Sequence, residues 1–133
     1  MQHSNVFDPQ NRIDVTARAV VSAAVEVHRE LGPGLLESVY ESCLCRELEV
    51  KGLAVERQRA VPLRCRGEDV GLAFRLDLVI DSLVAVEVKA VAQVVPLHHA
   101  QLMTYLRVAD LPLGLLLNFN VSLMKYGITR ITT

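Results

Sequence analysis

The sequence predicts a mixed α+β fold of the layered α/β kind, a central mixed β-sheet flanked by helices. Three observations lead there. Apolar residues recur at helical spacing over the first third of the chain. Between Val55 and Lys89 the period shortens to that of strands, and after Pro96 a further helical pattern leads into the aliphatic run Leu111 to Leu117.

In chain order, residues 1–10 are polar, contain Pro9 and lack periodicity, so they read as a flexible leader ahead of one domain over residues 11–133. From Ile13 the stripe Ala17, Val20, Ala24, Val27 and Leu31 predicts a core-facing helix, stopped by Gly32-Pro33-Gly34. A second helix follows with Leu36, Val39, Tyr40, Cys43, Leu44 and Leu48 as its apolar side, closed by Lys51-Gly52. Val55 to Cys65 and Val70 to Lys89 read as an antiparallel meander broken at Arg66-Gly67-Glu68-Asp69 and at Asp81-Ser82-Leu83. Pro96 opens a third helix over Leu97 to Ala109, because the N–H it lacks would be unpaired in a first turn. Leu113 to Phe119 reads as a buried strand and Lys125 to Ile131 as a shorter last one.

The 133 residues, 51% of them hydrophobic, suffice for one core and leave little room for a second. With 14 basic and 15 acidic residues the net charge is −1, so no global basic field drives nucleic-acid binding. Any such contact is local, and Arg57, Arg59, Arg64, Arg66 and Arg75 are the candidates. Cys43, Cys45 and Cys65 have neither metal-site spacing nor partner histidines, which predicts reduced, buried thiols in a cytoplasmic protein. No signal peptide and no membrane-spanning apolar run is found.

Charges inside the apolar strand runs carry the chemistry. Strand alternation puts Leu76, Leu78 and Ile80 on one face, with Val84, Val86 and Val88. Asp77, Glu87 and Lys89 then share the other. Asp77 opposes Glu87 only across a loop with an odd number of residues, such as Asp81-Ser82-Leu83, and that register sets Ile80 opposite Val84. Two carboxylates so close repel unless a cation lies between them. Magnesium suits such a site, being held by one or two carboxylates plus water and phosphate oxygens. Lys89 would add positive charge beside the bound water or phosphate, a constellation for metal-assisted phosphodiester hydrolysis. A solvated ion-pair patch is the alternative.

Glu37 lies early in the second helix, beside its buried stripe. It either favours the positive helix terminus or is a third acidic group aimed at the metal. Gln101 and Tyr105 are four apart on the third helix and would face one way, Gln101 orienting a water, the lysine or a phosphate oxygen, or both lining an exposed polar face. His28, His98 and His99 read as surface or satisfied core histidines.

The run from Val27 to Tyr40, with Gly34, Glu37 and Tyr40 at the named positions, resembles the signature of the GxxExxY proteins. The likeness continues through Glu56-Arg57-Gln58, Arg75 to Val79, Val86 to Val91, Ala100 to Leu106 and Gly114 to Phe119, nearly the whole chain after the leader. That family is assigned to the PD-(D/E)XK nuclease superfamily. The resemblance implies a restriction-endonuclease-like αβββαβ core, Mg2+ or Mn2+ as cofactor, and nucleic acid as partner, DNA before RNA. It implies Asp77 and Glu87 as metal ligands, Lys89 as the catalytic lysine, Glu37 as the helix-borne acidic group at the metal, and Gln101 as the auxiliary polar residue. The superfamily's proline before the first aspartate is Leu76 here, a position that ligates nothing.

Two functions follow as expectations: a metal-dependent nuclease, and a catalytically silent module of the same fold that holds nucleic acid or a partner protein. The weakly acidic net charge and small size favour the module, because a 133-residue enzyme has little surface for gripping a duplex; a homodimer would supply that surface.

Overall fold

The computed structural model describes residues 8–133. Asp8 caps the first helix by accepting the Gln10 amide, Pro9 occupies the first turn, and α1 spans Pro9–Leu31. Pro9 and Gln10, expected in the leader, are therefore helical. Residues 1–7 of that segment lie outside the described residues. Ala17, Val20, Ala24 and Val27 are buried as the stripe requires, and Gly32, at a left-handed φ of 68°, ends the helix.

α2 spans Glu37–Val50 and buries Tyr40, Glu41, Leu44, Cys45 and Leu48. Leu36 and Val39, expected on its apolar side, are exposed. Leu36 precedes the first turn as the cap residue, and the helix is rotated so that the line through Glu37, Glu41, Leu44 and Leu48 meets the sheet.

β1 (Val55–Cys65) and β2 (Glu68–Ile80) form a hairpin closed by Arg66 and Gly67 alone, both left-handed (φ 53° and 79°), a two-residue turn tighter than the four-residue break expected. β3 (Val84–Lys89) returns antiparallel to β2 with Ile80 opposite Val84, the register that the odd loop requires. α3 (Pro96–Ala109) carries the chain across to β4 (Leu113–Asn118), which lies parallel to β3. A 3-10 turn at Met124–Gly127, in place of the start of the expected last strand, leads to β5 (Ile128–Thr132), antiparallel to β4. The sheet order is β1-β2-β3-β4-β5, a mixed sheet as expected.

α1 and α2 cover one face, where Tyr40, Leu44 and Leu48 pack with Leu78, Ile80, Val84, Val86 and Val88. α3 covers the other, setting Leu102 and Leu106 against Val79, Ala85 and Leu116. It sits so close to β4 that a Cβ on Gly114 would stand 3.0 Å from Leu102. Leu76 packs on the α3 side, against the expectation that it shares a face with Leu78 and Ile80. Alternation breaks between them at Asp77, where the facing strand is left-handed at Gln58 (φ 50°), between the pairs Arg57↔Leu78 and Arg59↔Leu76.

Cys45 is buried, and burial pushes its thiol up to about 11, well out of the reactive range. Cys65 is exposed, contrary to expectation, because no helix covers the end of the β1-β2 hairpin. Among the described residues no helix is long and apolar enough to cross a membrane.

Candidate functional site

Backbone pairing between β2 and β3 runs from Ile80↔Val84 to Leu78↔Val86. One step on, side chains replace it. The Asp77 N–H donates to Glu87 Oε1 at 3.1 Å, and the Val88 N–H donates to Asp77 Oδ2 at 2.8 Å. The two carboxylates thus sit between the strands, each accepting a backbone amide from the strand opposite. This crossed arrangement holds both acids in one place.

Burial is the main force on their acidity. It raises Glu87 to about 8, with the Asp77 charge adding to the effect and Lys89 opposing it. Asp77 is also raised, by burial and by the Glu41 charge, against the pull of the Val88 amide, Gln58 and Lys89. Among the described residues Glu87 Oε1 has the Asp77 amide while the second oxygen has no protein donor, and no buried polar side-chain atom is left without a partner. That oxygen therefore meets solvent. Hard oxygen donors, crowded negative charge and an open position fit a divalent cation that keeps most of its waters.

Lys89 stands two residues after Glu87, half-buried, and forms no ion pair among the described residues. The strand end that carries it is clamped. Phe119 N–H donates to Lys89 O at 2.9 Å, while Asn118 accepts the Val91 N–H at 3.1 Å and donates to Val91 O at 3.0 Å. Asn118 is buried opposite Lys89 in the β3-β4 register, and the sequence reading passed over it.

Glu37, the first residue of α2, accepts the Ala90 N–H through Oε1 at 3.3 Å, one residue beyond Lys89. It reaches the end of β3 and not the two carboxylates. Among the described residues no three His, Cys, Asp or Glu side chains gather to hold a metal ion, so Glu37 does not complete a set with Asp77 and Glu87. The α2 acid whose charge acts on both is Glu41, one turn further along the same face. It is buried and accepts Arg57 Nη2 at 2.9 Å and Gln58 Nε2 at 2.7 Å. The four-residue spacing from Glu37 was the signal available in the sequence.

Tyr40 explains how Glu37 is placed. Its hydroxyl donates to Gly32 O at 2.6 Å and accepts the Leu35 N–H at 3.1 Å, so the Gly32-Pro33-Gly34 turn is tied to the helix. Gly34 adopts a left-handed φ of 99°, which glycine accommodates without a Cβ clash. Gln101 is exposed on α3 and bonds neither carboxylate nor Lys89. Its neighbour Tyr105 is half-buried instead, stacked on Phe74 with centroids 3.9 Å apart.

Of the candidate arginines, Arg57 is paired with Glu41 and Arg75 donates to Gln58 O at 3.0 Å. Arg64 and Arg66 are exposed at the end of the hairpin. His28 is a satisfied core histidine, 2.8 Å from Val121 O. A cavity of about 480 Å³ between α1 and α2, lined by Val27, Leu31, Cys43 and Val50 among others, does not touch the carboxylates.

No curated protein and no solved structure matches the chain significantly. The model of the PD-(D/E)XK nuclease superfamily matches residues 14–131, from α1 through β5. Enzymes of that superfamily act on nucleic acid and generally depend on a divalent metal. With nearly the whole chain matched, and with Asp77, Glu87 and Lys89 on two adjacent core strands, this chain belongs to the PD-(D/E)XK nuclease superfamily.

Proposed function

We propose that the protein is a metal-dependent nuclease that hydrolyses phosphodiester bonds of DNA in preference to RNA, with Mg2+ or Mn2+ held by Asp77 and Glu87. The observation that carries this reading is the crossed pair of carboxylates, Glu87 buried and Asp77 half-buried, with Lys89 beside it. Backbone amides of the opposite strand hold both acids, and their raised proton affinity is what a cation would relieve. When bound, the metal supplies a more acidic water and neutralises charge at phosphorus.

Lys89 places a positive charge where the reacting phosphate gains negative charge. Glu37 acts through water from the end of β3, and Gln101 is the auxiliary group on α3. The protein works in the cytoplasm as a single domain whose homodimer provides the surface for a duplex.

The test is cleavage of labelled single-stranded, double-stranded and branched DNA and of RNA, with Mg2+ or Mn2+, by the wild type and Lys89→Ala. Metal-dependent cutting that the variant loses supports the assignment and identifies the substrate. Cutting that Lys89→Ala retains sinks it.

The second reading, a silent module that binds nucleic acid or a partner protein, is favoured by the absence of a third metal-binding side chain among the described residues and by the net charge of −1. Metal binding without cutting of any substrate would establish it.

A further inference from the structure

Gln58 departs from the local rule for its position. It lies within β1, yet its φ of 50° is in the left-handed region, which is strained for a non-glycine residue. Glycine or asparagine would adopt that backbone more cheaply. Gln58 is held there on several sides. Its carbonyl accepts Arg75 Nη1 at 3.0 Å, and its Nε2 donates to Glu41 Oε1 at 2.7 Å and to Asp77 Oδ1 at 3.4 Å. Glu41 is in turn fixed by Arg57, which bonds the other oxygen at 2.9 Å and Ser42 Oγ at 3.1 Å.

One amide nitrogen therefore spends its two hydrogens on two carboxylates from different elements. The opposite amide orientation would turn an oxygen toward both and is excluded by charge. A neutral donor offsets the repulsion between Glu41 and Asp77 without cancelling the negative charge that attracts a cation. Arginine or lysine here would cancel it. The short bond to Glu41 anchors the amide and the long bond to Asp77 leaves that acid aimed rather than captured.

We infer that Gln58, anchored by Glu41, is a positioning residue that orients the Asp77 carboxylate for divalent-metal binding. The inference rests on the reading of Asp77 and Glu87 as a metal site. Partners behind a metal ligand typically change affinity by about 10- to 100-fold when removed.

The experiment is calorimetric titration of Mn2+ into the full chain, wild type beside Gln58→Gly, Gln58→Asn and Asp77→Asn, with metal-free melting curves for each. Glycine and asparagine both accept the left-handed backbone, and asparagine keeps an amide one methylene too short to bridge. Both are expected to stay folded at the titration temperature and to bind Mn2+ about tenfold or more weakly. Unchanged affinity in the Gln58 variants, with binding abolished in Asp77→Asn, overturns the inference and leaves the metal site standing. An affinity loss that merely follows the fraction unfolded makes Gln58 structural and also overturns it. No Mn2+ binding by the wild type removes the metal site and this inference together.

Discussion

Tyr40 lies flat on Phe119, ring centroids 4.6 Å apart and planes within 9°, and through that contact a helix-borne tyrosine is seated against the strand end beside Lys89. Its hydroxyl also closes the turn that delivers Glu37. Tyr40→Phe keeps the stack and removes both hydrogen bonds, leaving the Gly32 carbonyl and the Leu35 amide to find water. The expected loss is about 1–2 kcal/mol in urea unfolding, with cleavage reduced through a displaced Glu37. Unchanged stability would show that water replaces the hydroxyl.

Glu87 sets the pH dependence of the metal-free protein. Its acidity is shifted from 4.5 to about 8, so between those values the folded chain holds a proton that the unfolded chain has released. This group's stabilisation is complete below about pH 4.5 and disappears as pH rises through 8; Asp77 is shifted in the same direction. In the presence of a chelator, the unfolding free energy from urea titration should fall between pH 6 and pH 9 by an amount on the order of a few kcal/mol. Glu87→Gln should flatten that fall.

Metal reverses the trend. Carboxylates must lose their protons to bind a cation, so the rise in melting temperature produced by Mg2+ or Mn2+ should grow from pH 6 to pH 8.5. Asp77→Asn should abolish it. A stabilisation independent of pH would place the metal at another site.

Lys89 lowers the pKa of both carboxylates and forms no ion pair among the described residues. Lys89→Ala should leave the melting temperature within a few degrees and lower the cleavage rate by roughly 100-fold or more, as loss of an electrostatic group at a reacting centre does. Single-turnover rates at saturating substrate separate this from weaker binding.

Gly127 is packed against the clamp that holds the Lys89 strand end. A Cβ there would lie 1.9 Å from Asn118 O, a backbone atom that has no room to yield. Gly127→Ala should cost about 1–3 kcal/mol or more, read as a lower melting temperature, with activity falling as Asn118 loses its hold on Val91. A neutral effect would mean that the 3-10 turn shifts freely.

The sequence by itself determined the helices around Ala17 and Leu44, the three-strand meander, the helix after Pro96 and the opposition of Asp77 to Glu87. These follow from local rules: apolar period, glycine and proline stops, and the parity of the Asp81-Ser82-Leu83 loop. Only the tertiary structure decided which side of α2 meets the sheet, and hence that Glu41 faces the carboxylates while Glu37 ends at the Ala90 amide. It likewise decided that Leu76 changes face, that Gln58 bridges two acids, and that Arg57 and Arg75 are taken up by internal bonds. Each depends on how a helix docks and rotates on a sheet, or on a left-handed residue held by contacts from α2 and β2, and no periodicity along the chain encodes where those distant groups arrive.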